Sequence, residues 1–173
     1  MSEERFGGIL QLQDNALINI SQVYESLRYN DYSVENGLGE IVDNSVEAGA
    51  SEIRVYFVKK TRRVGKKEVE EIGKIIIMDN GSGMSPEVLG CSMRDHKNGK
   101  LGIGKFGVGM TLGSISLARH VEGYSRDAVN GEFYSTYIDL DEINSKSLDA
   151  VPAPEEKDVP AEYADFFMGQ TGT

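Results

Sequence analysis

The sequence has a single cysteine, Cys91, among 173 residues. One thiol can form neither an internal disulfide nor a cysteine-rich metal site. A reducing setting is therefore expected, cytoplasmic, or nuclear if the source is eukaryotic. No apolar run approaches the roughly 20 residues of a membrane span. Met1 to Arg5 is acidic and no apolar stretch follows it, so no secretory signal is expected. There is no internal repeat and no heptad pattern. Positive charge is also short: 18 Lys and Arg stand against 28 Asp and Glu, a net charge of −10. So acidic a surface repels phosphate backbones, and any work on nucleic acid needs its grip from elsewhere.

What is present describes one globular domain. Hydrophobic residues make up 39% and charged residues 27%, enough for a real core and unlike a disordered tail. The length fits roughly one domain. Glycine is in excess, with 20 residues, about 12% against a usual ~7%. Where those glycines sit decides the reading.

Residues 1–14 carry little pattern and are expected to form an N-terminal arm ahead of a domain over 15–173. Leu17, Ile20, Tyr24 and Leu27 have helical spacing, with Asp14 as N-cap. A second helix is expected from Ser33, as its cap, to Gly49. Ser51–Val58 alternates, with Ile53, Val55 and Phe57 on one side, as in a half-buried strand. Lys74–Asp79 is a β-branched run suited to a central strand. The polar stretch Lys59–Gly73 between them is expected to be a long hairpin loop. Further on, Pro86–Met93 reads as a short helix, Arg94–Gly104 as a loop and Phe106–Arg119 as a helix. Val121–Ser125 and Glu132–Leu140 read as strands about a turn at Asp127–Gly131. Val151–Glu156 reads as a linker or surface excursion, and Tyr163–Met168 as a short helix. Helices, a hairpin, a helix and then strands suggest an α+β sandwich rather than a doubly wound sheet.

Three places carry chemistry. In the second helix Glu40, Asp43, Asn44 and Glu47 share one face, opposite Leu38, Ile41, Val42 and Val46. An ordinary amphipathic helix with a solvated acidic face is the plain alternative, although Asp and Asn are poor mid-helix residues. The second place is Asp79-Asn80-Gly81-Ser82-Gly83-Met84, directly after the apolar strand. An Asp there can project a carboxylate into a cleft, and the glycines let a flat ligand approach the backbone; a plain Asn-Gly turn would look the same. The third is Gly102-Ile-Gly-Lys-Phe-Gly-Val-Gly-Met110, whose glycines open a helix. Unshielded amides at a helix start make a phosphate cradle. No Gly-Lys-Ser/Thr closes it as in a P-loop, and no βαβ unit surrounds it as in a dinucleotide site.

In this order, the three places together resemble the GHKL ATPases, which share the Bergerat ATP-binding fold. These include gyrase B-type topoisomerases, heat-shock chaperones, histidine kinases, MutL and the MORC proteins. The resemblance covers roughly Gly37 to Thr173. It implies a two-layer α+β sandwich, with helices on one face of a mixed, mostly antiparallel sheet and ATP held between the layers with Mg²⁺. Carried over residue by residue, it implies Glu40 as the general base and Asn44 as the Mg²⁺ ligand, with Asp43 helping to orient that shell. Asp79 would accept from the adenine amine, Gly83 would let the base approach, and Met84 and Ala48 would line its pocket. Backbone amides of Gly104, Lys105, Phe106, Gly107, Val108 and Gly109, in the loop that Gly102 begins, would hold the phosphates, with the Lys105 ammonium adding charge. Arg94–Lys100 would be a lid whose Asn98, Lys97 and Lys100 reach the phosphates on closing; His96 is expected to be a solvated lid residue.

Thr171-Gly172-Thr173 resembles the segment that opens the strand under adenine in several members, with Thr173 as the base-side hydroxyl. The chain is accordingly expected to be truncated before the last strand of the domain and the following transducer domain. The third motif resembles both the chaperone and the MORC branches, while Thr111-Leu-Gly-Ser-Ile-Ser, Ile41-Val-Asp-Asn-Ser and Glu47-Ala-Gly-Ala lean toward MORC. That resemblance implies slow hydrolysis of ATP to ADP, an ATP-dependent homodimer, and action on DNA or chromatin. A nucleotide-binding switch without meaningful turnover and a chaperone-type ATPase are the alternatives. One stretch bears on DNA: Lys59, Lys60, Arg62, Arg63, Lys66 and Lys67 crowd into nine positions. A basic hairpin on an acidic body could touch phosphates, or be no more than a solvated tip.

Overall fold

The computed structural model describes residues 33–93, 108–145 and 151–173. The arm over 1–14, the helix over 15–28 and the lid over 94–100 lie outside the described residues.

Helix α1 runs over Val34–Glu47. Ser33 caps it, its side chain accepting the Asn36 N–H at 3.2 Å, and Gly49 follows in the left-handed region at φ +75°. These are the ends expected from the sequence. The buried face is not. Val46 is 60% exposed, and the buried residues are Gly37 and Ser45. The cause is a close crossing with a later helix, α3 (Val108–Leu117). A Cβ on Gly37 would lie 2.6 Å from Ser116 Oγ, and one on Gly113 would lie 2.9 Å from the Gly37 carbonyl oxygen. Backbones this close admit only small residues at the crossing itself, and Ile41 packs beside it, its Cγ1 3.6 Å from where a Gly113 side chain would begin.

Strands β1 (Ile53–Val64) and β2 (Lys67–Asp79) form a long antiparallel ribbon. The expected loop over Lys59–Gly73 is therefore strand, closed only by Gly65 and Lys66, with Gly65 at φ +63°. Charge pairing across the strands explains the difference. Lys59 meets Glu70 at 3.0 Å, while Lys60 and Arg62 meet Glu71 at 3.2 and 3.3 Å. The register shifts between Val58 and Lys59. Ile53, Val55 and Phe57 do share a face, with Ile75, Ile77 and Asp79 opposite them. Val55 and Phe57 are nonetheless exposed rather than half-buried.

A second sheet has the order β3 (His120–Ser125), β4 (Tyr134–Asp139) and β5 (Glu155–Glu156), with every pair antiparallel. Strand β4 stops one residue short of the expected Leu140. The Asp139 carboxylate accepts the N–H groups of Asp141 and Glu142 at 2.8 and 3.0 Å, capping a five-residue helix, α4 (Leu140–Asn144). Residues 151–156, expected as a linker, are packed: Val151 is buried, Thr136 Oγ1 donates to the Pro152 carbonyl at 2.8 Å, and β5 adds to the sheet. The final short helix is a 3₁₀ helix over Ala161–Phe167.

The two sheets meet at the last residues. Thr173 exchanges both backbone hydrogen bonds with Asp79, at 2.9 and 3.3 Å, and Gly172 exchanges both with Arg126, at 3.1 and 3.2 Å. Helix α2 (Pro86–Ser92) is capped by Ser85. With α3 and α4 it covers one face of β3 and β4 around Met93, Ile115, Ile138, Leu140, Ile143 and Val151. The 3₁₀ helix covers the opposite face, where Phe166 and Phe167 pack with Met78 and Phe133. The architecture is the expected α+β one, with its α-helices on one face. All strand pairs among the described residues are antiparallel.

Candidate functional site

Asp79 ends β2 and is only 7% exposed. A buried carboxylate needs partners. Ser45 Oγ donates to Oδ2 at 2.9 Å, and the Gly81 N–H donates to Oδ1 at 2.9 Å. An ionised carboxylate offers about four lone-pair positions, so both oxygens keep capacity to accept from a ligand. Ser45 sits inside α1, buried, with the Ile41 carbonyl also within 3.3 Å. It is a site residue the sequence reading missed. A mid-helix serine, a weak helix former, was the signal available.

The loop after Asp79 is held from all sides. Asn80 Oδ1 accepts the N–H groups of Ser51 and Glu52 at 2.9 and 2.8 Å, pinning the turn between α1 and β1. A Cβ on Gly81 would come 2.8 Å from Ala48 Cβ, and the Ser82 N–H donates to the Ala48 carbonyl at 2.9 Å. Gly83 lies at φ +67°, where a Cβ would overlap the Arg126 carbonyl oxygen. Its lack of a side chain is therefore required by the protein's own backbone. Met84 is half-buried, and its N–H donates to Ser125 Oγ at 2.8 Å.

The chain end closes the other side. Thr173 and Asp79 form a mutually hydrogen-bonded antiparallel pair, which places their side chains on the same face. Thr173 Oγ1 lies 2.7 Å from Ser125 Oγ, and Thr171 Oγ1 donates to the Gly81 carbonyl at 2.6 Å. The structure thus gathers Ala48, Asp79, Gly83, Met84 and Thr173 around one end of β2.

Glu40 and Asn44 lie one turn apart on α1, both half-buried. Glu40 packs against α3, its Cβ 3.3 Å from where a Gly113 side chain would begin. Asp43 is exposed. The Asn44 side-chain nitrogen is buried and has no hydrogen-bond partner among the described residues. The two ends of an amide exchange by a flip, so the feature is a buried polar group with unused capacity. A neutral amide oxygen is a ligand type that Mg²⁺ accepts, so Asn44 fits the ion expected there. Val108 and Gly109 open α3, whose first N–H groups have no partners within the helix. Asn98, Lys100, Gly102, Gly104, Lys105, Phe106 and Gly107, like Lys97 and His96, lie outside the described residues.

The basic ribbon is exposed from Arg54 to Glu70. Lys59, Lys60 and Arg62 are paired with Glu70 and Glu71. Arg63, Lys66 and Lys67 cluster about the turn, with Glu68 opposite Arg63 in the register. No helix among the described residues is long and apolar enough to cross a membrane.

Comparison with known proteins bears on this site. The family described as "Histidine kinase-, DNA gyrase B-, and HSP90-like ATPase" matches residues 32–172, which include α1, the Asp79 loop, α3 and Gly172. The chain is also 31% identical over 137 residues to the DNA mismatch repair protein MutL of Shewanella sediminis. That match covers 75% of this chain and 20% of MutL, so the chain corresponds to about a fifth of that protein's length.

Proposed function

Because the chain belongs to the histidine kinase-, DNA gyrase B- and HSP90-like ATPase family, we propose that it binds Mg-ATP at the end of β2 and hydrolyses it slowly to ADP and phosphate. The observation that carries this is the buried Asp79 carboxylate, held by Ser45 and Gly81 and sharing its face with Thr173. An ionised carboxylate only accepts hydrogen bonds, so it takes an exocyclic amine and repels a carbonyl oxygen. That suits the amine of adenine and disfavours a carbonyl in its place. Ala48 and Met84 line the base, and Gly83 keeps the backbone close to it.

Further along α1, Asn44 would hold Mg²⁺ with its side-chain oxygen, and Asp43 would help to orient that shell. When bound, the ion neutralises charge on the phosphates. Glu40 shares the Asn44 face and takes the proton from the attacking water as general base. The loop from Gly102, through the amides of Gly104–Gly109, holds the phosphates, and Lys105, Asn98 and Lys100 add charge and hydrogen bonds as the lid closes. The crossing of Gly37 on Gly113 ties the Glu40 helix to the helix that this loop opens.

Lid closure coupled to pairing of two copies, acting on DNA in the manner of the MORC proteins, is the wider reading. Ile41-Val-Asp-Asn-Ser and Thr111-Leu-Gly-Ser-Ile-Ser support that branch, and the similarity to a mismatch repair protein supports DNA as the partner. Arg63, Lys66 and Lys67 at the ribbon turn are the cations best placed to meet a phosphate backbone. Phosphate release under single-turnover conditions tests the chemistry. Glu40→Gln is expected to bind Mg-ATP as the wild type does and to lose about 100-fold in rate. Unchanged phosphate release would remove Glu40 from the mechanism.

A further inference from the structure

Helix α1 is held at two places, and by different means. At its C-terminal end Ser45 Oγ donates to Asp79 at 2.9 Å, and the Ala48 carbonyl accepts the Ser82 N–H at 2.9 Å. Toward its N-terminal end it bears on α3 through bare backbone. A Cβ on Gly113 would lie 2.9 Å from the Gly37 carbonyl oxygen and 3.3 Å from Glu40 Cβ. A Cβ on Gly37 would lie 3.0 Å from the Gly113 carbonyl oxygen and 2.6 Å from Ser116 Oγ. Ordinary contact begins at 3.4 Å. A side chain can swing away from a new methyl group, but a helix carbonyl is fixed by its own hydrogen bond. Any Cβ at position 113 must therefore move α1 itself, and close-packed helices transmit such a push. The push at Gly37 is about 0.5 Å, the gap between 2.9 and 3.4 Å. Held at Ser45, the helix turns about its C-terminal end. At 1.5 Å per residue, Gly37 lies about 12 Å and Glu40 about 7.5 Å from Ser45 along the axis, so Glu40 moves by roughly 0.3 Å. Asn44, next to the pivot, hardly moves.

We propose that Gly113 is a positioning residue for the chemical step, setting how closely Glu40 approaches the attacking water. This rests on the reading of Glu40 as the general base. Proton abstraction needs the base within about 2.6–3.2 Å of the water oxygen. A misplacement of about 1 Å can cost roughly 100-fold in rate, so about 0.3 Å at Glu40 costs roughly fivefold. The base end of the site, anchored separately at Asp79, feels little of the movement. Gly113 thus acts on turnover and Ser45 on binding, through opposite ends of one helix. Gly39 shows that the requirement is one of contact and not of helix composition. It adjoins Glu40 in the sequence, yet a Cβ there meets nothing within 4 Å.

The test sets the chemical step against binding, on the full 173-residue chain with Mg²⁺. The rate is single-turnover phosphate release at saturating ATP, and affinity is the dissociation constant of a non-hydrolysable ATP analogue. Gly113→Ala is expected to slow phosphate release about fivefold and to keep the dissociation constant within about twofold. Gly39→Ala, the matched control, should keep both. Alanine is the better helix former at either position, so a rate that merely followed helix stability would change alike in the two variants. Equal slowing in Gly39→Ala would overturn the proposal. So would a wild-type rate in Gly113→Ala, or a loss of affinity as large as the loss of rate, which would show a structural role only. Glu40→Gln separates the two levels. If it leaves phosphate release unchanged, the reading of Glu40 and this proposal fail together. If it slows release while Gly113→Ala does not, this proposal alone fails. In the Glu40→Gln background Gly113→Ala should cost nothing further, because it acts through Glu40, and additive losses would overturn it. Should Gly113→Ala not fold, Gly37→Ala decides from the other side of the crossing: slowed release with affinity kept supports the proposal, and a wild-type rate refutes it.

Discussion

Ser45→Ala removes one hydroxyl from the centre of the site, and its effect can be worked out from the structure. Ser45 is 4% exposed and its target, Asp79, is 7% exposed, so water replaces the lost bond poorly. A hydrogen bond to a charged group contributes about 1.5–3 kcal/mol. Alanine is the better helix former, which offsets roughly 0.5 kcal/mol of the loss. The net expectation is about 1–2.5 kcal/mol of destabilisation. For a chain of this length that lowers the melting temperature by about 2–10 °C. ATP binding should weaken too, because Oδ2 of Asp79 loses its anchor and the carboxylate its fixed orientation. A tenfold rise in the dissociation constant corresponds to about 1.4 kcal/mol. Thermal unfolding with and without Mg-ATP analogue reads both effects. Val46→Ala is the control: Val46, the next residue, is exposed, and the change should shift stability by less than about 0.5 kcal/mol. A Ser45→Ala protein with wild-type melting temperature and wild-type affinity would refute the argument that this bond holds the site.

Two further outcomes follow from the geometry. Gly83→Ala puts a Cβ onto the Arg126 carbonyl at a positive φ, so it should cost at least about 2 kcal/mol and abolish nucleotide binding; a stable, binding Gly83→Ala protein would mean the loop can move aside. Asp139 has its carboxyl held below the ordinary value of 3.8 by the Glu142 N–H and then by His120. A depressed carboxyl stabilises the fold above its unfolded pKa and loses that contribution as pH falls through the folded one. Asp139→Asn keeps a good cap but no titration, so the stability gap between wild type and variant should narrow below about pH 3.8; a gap that is constant from pH 6 to pH 3 would contradict the assignment.

Much of this site was legible in the sequence because its parts are local. The Ser33 cap, the left-handed Gly49, the apolar run into Asp79 and the helix start at Pro86 each depend on a few neighbouring residues. What was not legible depends on partners far along the chain. Lys59–Gly73 looked like a loop because its charges were counted singly, whereas the strands pair Lys59 with Glu70, and Lys60 and Arg62 with Glu71. The closest contact of α1 was not legible because a helix crossing at Gly37 and Gly113 requires small residues, which hydropathy does not register. Gly83 had a ligand-side reason in the sequence and proves to have a backbone one. Ser45 and Ser125 escaped notice because a serine declares a role only through the atoms it touches, here 34 and 48 residues away. The strand was expected to run on to Leu140, the first residue of α4, because the cap of that helix, Asp139, is also the last residue of β4.

The most direct measurement is calorimetric titration of the chain with a non-hydrolysable ATP analogue and Mg²⁺, run on wild type, Asp79→Asn and Glu40→Ala. Saturable binding by the wild type, lost in Asp79→Asn and kept in Glu40→Ala, is the predicted result, since the proposal has Asp79 reading the base and Glu40 acting only on the attacking water. Binding that survives Asp79→Asn unchanged, or that vanishes with Glu40→Ala in a folded protein, would contradict the account.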